Sequence, residues 1–179
     1  MPHPNRLPFA IFAVLAIGAL TGCSATESTT ELSLIETKSH SQLLRNDAIQ
    51  RLPEEAIGTI DKQIDESQSC KPWIEDPTGL YRAWRSTFVV ELTSGYESRA
   101  ESLSEDLVDS FRAEGWDDST EQQDSGSYLL TRTGAVRSLA FAVGHGEGKA
   151  DPVTLSFEAL GACVLTDGPG SEEVTRIDD

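Results

Sequence analysis

Histidine is scarce in this 179-residue chain, and of its three only His40 and His145 stand beyond the first 22 residues. That scarcity limits every catalytic reading that needs an imidazole base. No Gly-x-Ser-x-Gly elbow exists to present a nucleophilic serine, so a hydrolase would have to use His145 with partners from distant segments. Zinc-ligand spacing of Cys and His is missing too, and no metal or other cofactor is expected. Bases are outnumbered, with 14 Lys and Arg against 30 Asp and Glu and a formal net charge of -16. Phosphate backbones and anionic lipid headgroups repel such a chain, although salt screens the repulsion over about 8 Å, so neither nucleic acid nor peripheral membrane binding is expected. After residue 23 no apolar run approaches the ~20 residues that a membrane-spanning helix needs.

What the chain does have at its start is "MPHPNR", with Arg6 as a positive charge, followed by Phe9 to Leu20 without a polar or charged side chain. This is the layout of a secretory signal. Twelve residues rise about 18 Å as a helix, short of the roughly 30 Å hydrocarbon core. The junction Leu20, Thr21, Gly22, Cys23 resembles the lipobox of bacterial lipoproteins. The resemblance implies transfer of diacylglycerol to the Cys23 sulfur and cleavage before it, with acyl chains such as palmitate completing the anchor. Two or three chains, at about 0.8 kcal/mol per buried CH₂, would hold the protein on the extracytoplasmic face of the cell membrane. All the acids and all but one of the bases follow residue 22, so the exported part is strongly acidic.

Three cysteines are an odd count for an exported protein, and assigning Cys23 to lipid removes the oddity. Cys70 and Cys163 are left in a compartment where disulfides persist. Joined, they would tie the start of the folded domain to its last strand and stabilise it by roughly 4 to 5 kcal/mol in the chain-entropy model. The spacing does not derive that pairing, because the residues between Cys70 and Trp84 can run either way.

Residues 23–40 are rich in Ser, Thr and Glu and are expected to form a disordered tether. In 41–68, Leu43, Leu44, Ile49 and Leu52 precede Pro53, and Ala56, Ile57, Ile60 and Ile64 come after it at spacings of three and four. This predicts two short helices meeting near Leu52, with Pro53 opening the second. "CKPWIEDPTGLYRAW" reads as a packed connector whose Trp73, Tyr81 and Trp84 serve as core or lid. The α+β domain proper spans 69–165. A strand is expected over 84–92 and a helix over 96–114, with Ser94 and Glu97 or Ser98 and Glu101 as capping box, Ala100, Leu103, Leu107 and Phe111 as apolar stripe, and Gly115 as stop. Strands over 127–133, 136–143 and 153–159 alternate apolar and polar residues, as a sheet covered on one face does. The expected fold is α+β: an antiparallel or mixed four-stranded sheet on one main helix, preceded by a helical segment and succeeded by a loose acidic tail, 166–179.

The loop "GHGEGKA", Gly144 to Ala150, has the glycines and lysine of a phosphate cradle but Val143 and Ala150 where a P-loop requires Gly and Ser or Thr. It also lies between strands, away from any helix N-terminus. Asp117 with Asp118, and Glu172 with Glu173, are sequence neighbours whose side chains diverge, and "DDSTEQQDSG" lacks EF-hand spacing. Lipobox, polar tether, one acidic α+β domain and a cysteine pair together resemble the small lipoproteins of actinobacteria, a group without assigned chemistry. That resemblance implies location and architecture. The expected role is a surface-tethered binding module, not an enzyme, whose partner is an envelope protein or a small ligand. Rival readings are an envelope hydrolase using His145, and a carrier holding a small apolar ligand in a cavity of some 300 Å³ or more between sheet and helix.

Overall fold

A computed structural model describes residues 32–119, 126–145, 151–171 and 174. Residues 1–31, with Cys23 and the expected signal segment, residues 146–150 of the glycine loop, the middle of "DDSTEQQDSG", and Glu172 with Glu173 lie outside the described residues.

Helix α1, Leu34–Arg51, opens with a capping box in which the Ser33 hydroxyl accepts from Glu36 N and the Glu36 carboxylate accepts from Ser33 N at 2.8 Å. Residues 34–40 of the expected tether are therefore helical. The helix stops where Pro53 disfavours helical backbone at Leu52, which is extended at φ -73° and ψ 142°. Beyond Pro53 the chain makes a 3-10 turn, Glu54–Ala56, and then strand β1, Ile57–Ser69, in place of the second helix expected within 41–68. The isoleucine spacing misled because β1 is an edge strand with register breaks between Ile57 and Thr59 and between Ile60 and Lys62. Most of its side chains face water, so no core imposes period two, and the β-branched residues suit a strand. Gly58 fits the pairing closely, since a Cβ there would stand 2.9 Å from Glu91 O.

The remaining elements are β2 (Tyr81–Leu92), α2 (Ala100–Ala113), β3 (Asp117–Asp118), β4 (Ser127–Thr131), β5 (Val136–Gly144), β6 (Thr154–Gly161) and β7 (Val164–Leu165). A 3-10 turn, Glu97–Arg99, leads into α2, whose N-cap Arg99 makes no side-chain cap bond, so neither expected capping box forms. Gly115 does end the helix, at φ +87°. The sheet runs β1-β2-β6-β5-β4-β3 with β7 on the end of β2, and every pairing is antiparallel. Among the described residues it has seven strands where four were expected. Two of the extra strands, β3 and β7, are too short to show a period, and the other is the misread β1.

Both helices cover one face. There Phe88, Phe111, Phe141 and Phe157 pack with ring centroids 5.1 to 6.0 Å apart, flanked by Val90, Leu139 and Leu155. Helix α1 approaches the sheet closely at Gly161, where a Cβ would lie 2.8 Å from Thr37 Cβ. Cys70 and Cys163 form a disulfide with Cα atoms 5.8 Å apart and 93 residues of separation. The expected loose tail is partly packed: the Thr166 hydroxyl donates to Leu80 O at 2.8 Å, and Val174 is buried with Leu34, Trp84 and Val164.

Candidate functional site

Strand alternation sends Phe88 and Val90 of β2 under the helices and turns Arg85, Thr87 and Val89 to the opposite face, which no helix among the described residues covers. Across β6 and β5 the outward positions are Ser156, Glu158, Ala140 and Ala142, small or polar in contrast to the phenylalanines behind them. Small side chains leave two adjoining depressions of about 300 and 440 Å³ that share Ala140 and Glu158. The floor is apolar along Ile64, Val89, Ala140 and Ala142, and the frame is charged.

That charge is biased. Lys62, Arg85 and Arg137 line the two depressions against one acid, Glu158, in a chain whose net charge is -16. Arg85 sits between carboxylates at ion-pair range, 3.5 Å to Glu66 Oε1 and 3.6 Å to Glu158 Oε2. Neither is a good hydrogen bond, and the buried Arg85 Nε has no acceptor. The guanidinium is thus held between two acids beyond good hydrogen-bond distance, and its side chain stays 28% exposed to the open face.

On the covered side, the Asp65 carboxylate of β1 accepts from Trp84 Nε1 at 3.2 Å, from the buried Ser86 hydroxyl, and from Arg45 of α1. Burial raises the Asp65 pKa, but the Ser86, Trp84 and Arg45 donors outweigh it and hold the group below the usual aspartate range. This cluster fastens α1 and β1 to β2. It is a structural tie.

His145 is exposed just past β5, with no hydroxyl or carboxylate hydrogen-bonded to it among the described residues. His40 Nδ1 lies 2.8 Å from Glu36 O on the helix surface. Asp117 and Asp118 are exposed on β3, and Asp118 pairs with Arg112 at 2.7 Å. Among the described residues no group of three or more His, Cys, Asp or Glu could hold a metal ion, and no helix is long and apolar enough to cross a membrane. Trp84 is fully buried as expected, whereas Trp73, expected as core or lid, is 78% exposed. A cavity of the size set for an apolar ligand carrier exists on the uncovered face; at the helices, the depressions between α1 and α2 and between α2 and the β4 edge are smaller, about 170 and 130 Å³.

Sequence reasoning passed over Lys62, Arg85, Arg137 and Glu158 because polar residues alternating with apolar ones on a strand read as a solvated face. The available signal was the Ala and Ser at outward positions of two neighbouring strands, too small to fill their side of the sheet. Comparison with protein-family models, with curated proteins and with solved structures finds no match to this chain.

Proposed function

We propose that this chain is a lipid-anchored extracytoplasmic binding module, tethered through Cys23, that engages an anionic partner on the uncovered face of its sheet. The observation that carries the reading is the cationic frame: Lys62, Arg85 and Arg137 around an apolar floor, in a chain of net charge -16. A flat anionic surface, such as an extended acidic segment of an envelope protein, brings what that floor lacks. Its oxygens accept from Arg85, and its apolar parts cover Val89 and Ala142. Charge on the rest of the chain disfavours anions elsewhere, which restricts them to this face.

The test is site-directed photo-crosslinking in intact cells, with a benzophenone amino acid at Ala142 on the uncovered face or at Asp109 on the outer side of α2. A discrete adduct from residue 142, absent from 109 and lost on Arg85→Glu, is the expected result. Equal labelling from both positions, or none from 142, contradicts the assignment.

A further inference from the structure

Segment 71–80 leaves β1 at Cys70 and returns at Tyr81, where Cys70 N donates to Tyr81 O at 3.1 Å and the bridge to Cys163 closes the base. The loop is ordered from within. The Asp76 carboxylate is buried and accepts from Tyr81 N at 2.7 Å, Leu80 N at 3.0 Å and the Thr78 hydroxyl at 3.1 Å. Pro72 O accepts from Glu75 N and Asp76 N, and Gly79 supplies the turn at φ +67°. Yet this firmly built loop holds Trp73 78% and Ile74 84% exposed, and Leu165 on the neighbouring β7 is 64% exposed. Water is a poor environment for three large apolar groups gathered at one end of a domain.

The same end receives the chain from its anchor. Leu34, at the start of α1, packs on Trp84, Val164 and Val174, and Leu32 lines a depression with Tyr81, Cys163 and Leu165. Eight residues separate Cys23 from Leu32, nine Cα steps, so that end can stand at most about 32 Å from the Cys23 Cα. Trp73 is three residues from Cys70, within about 11 Å of the bridge.

We propose that the Trp73–Ile74 loop seats in the headgroup and acyl boundary of the membrane that holds Cys23, giving the domain a second point of contact. The proposal rests on the lipid-anchor reading. Tryptophan suits that boundary, with an apolar body and one N–H for the wet side, and isoleucine reaches the acyl region beside it. Lys71, whose Nζ lies 3.5 Å over the Tyr81 ring, places a cation beside the loop tip, and against Glu75 and Asp76 it leaves segment 71–80 with a formal charge of -1 in a chain of -16. Two apolar side chains bind a bilayer weakly on their own. Anchoring through Cys23 makes their insertion intramolecular and raises their effective concentration at the surface. Two contacts fix orientation, with the disulfide end toward the membrane.

Trp84 and Trp116 are 0% and 2% exposed, so of the three tryptophans Trp73 alone reports on lipid. The full-length acylated protein is reconstituted in phosphatidylcholine vesicles, with or without bromine near the headgroup end of the acyl chains, and its emission is read beside flotation and the mass of the Cys23 peptide. The expected result is blue-shifted emission quenched by brominated lipid, with the quenchable part lost in W73S/I74S while that variant still floats. An acylated, floating wild type whose emission ignores brominated lipid overturns the loop proposal and leaves the anchor standing. A Cys23 peptide without acyl mass overturns both.

Discussion

The two faces of one sheet differ in what fills them. On the covered face, β2, β5 and β6 contribute Phe88, Phe141 and Phe157 to a core closed by α2 through Phe111; on the uncovered face, the residues next to them in sequence are Thr87, Ala142 and Ser156. The same strands and the same period thus build a packed interior and an open floor, and the difference is side-chain volume. A sheet with helices on one side only needs a polar or small outer face to remain in water. Here that face also carries Arg85, held 3.5 Å from Glu66 and 3.6 Å from Glu158, beside Lys62 and Arg137.

Substitutions should therefore separate into those that cost stability and those that cost binding. Phe157→Ala removes the ring stacked with Phe88 and Phe111 and edge-on to Phe141, and the unfolding free energy from urea titration should fall by about 3–5 kcal/mol. Arg45→Met leaves Asp65 charged beneath α1. Because the Asp65 side chain keeps 27% exposure, the expected loss is about 2–3 kcal/mol, below that of a fully buried pair, with hydrogen exchange rising in α1 before α2. Acid sharpens the same point. Asp65 and Asp76 titrate lower in the folded chain than in the unfolded one, each despite the upward effect of burial, through the donors that surround them. Their stabilisation is complete above the ordinary aspartate pKa of about 3.9 and disappears as pH falls through the depressed native values. Melting temperature should drop over that interval, and less steeply in Asp65→Asn. Arg85→Ala, on the uncovered face, should leave stability within about 0.5 kcal/mol of wild type, since it loses two long ion pairs and also an unsatisfied donor. A loss as large as that of Phe157→Ala would make Arg85 structural and remove the case for a binding face.

How much of this could be read from residue order differs between the two helices. Helix α2 declares itself, because of the six residues it buries only Ser104 is polar, and Ala100, Leu103, Leu107, Val108 and Phe111 recur at spacings of three, four, one and three. Helix α1 buries Leu34, Thr37, Ser41, Arg45 and Ala48, a seam with regular spacing but mostly polar or small members. The part from 41 to 51 was expected as helix, ending near Leu52, while the first two turns and the buried seam depend on partners distant in sequence: Gly161, which admits Thr37, and Asp65, which receives Arg45. Leu43, prominent in the periodic reading, is 65% exposed. Strands β2, β5 and β6 were legible by alternation, while β1 was not, since an edge strand with bulges has no buried face to pattern it. The uncovered floor was hidden for a related reason: a residue's smallness acquires meaning only when its neighbours on two other strands are known.

Location is prior to all of these assignments, and it depends on residue 23. The most direct measurement is the mass of the N-terminal peptide of the protein extracted from membranes. The account predicts a peptide that begins at Cys23 and carries a diacylglyceryl thioether; a free Cys23 thiol, or a chain retaining Met1 to Gly22 in the cytoplasmic fraction, would contradict it.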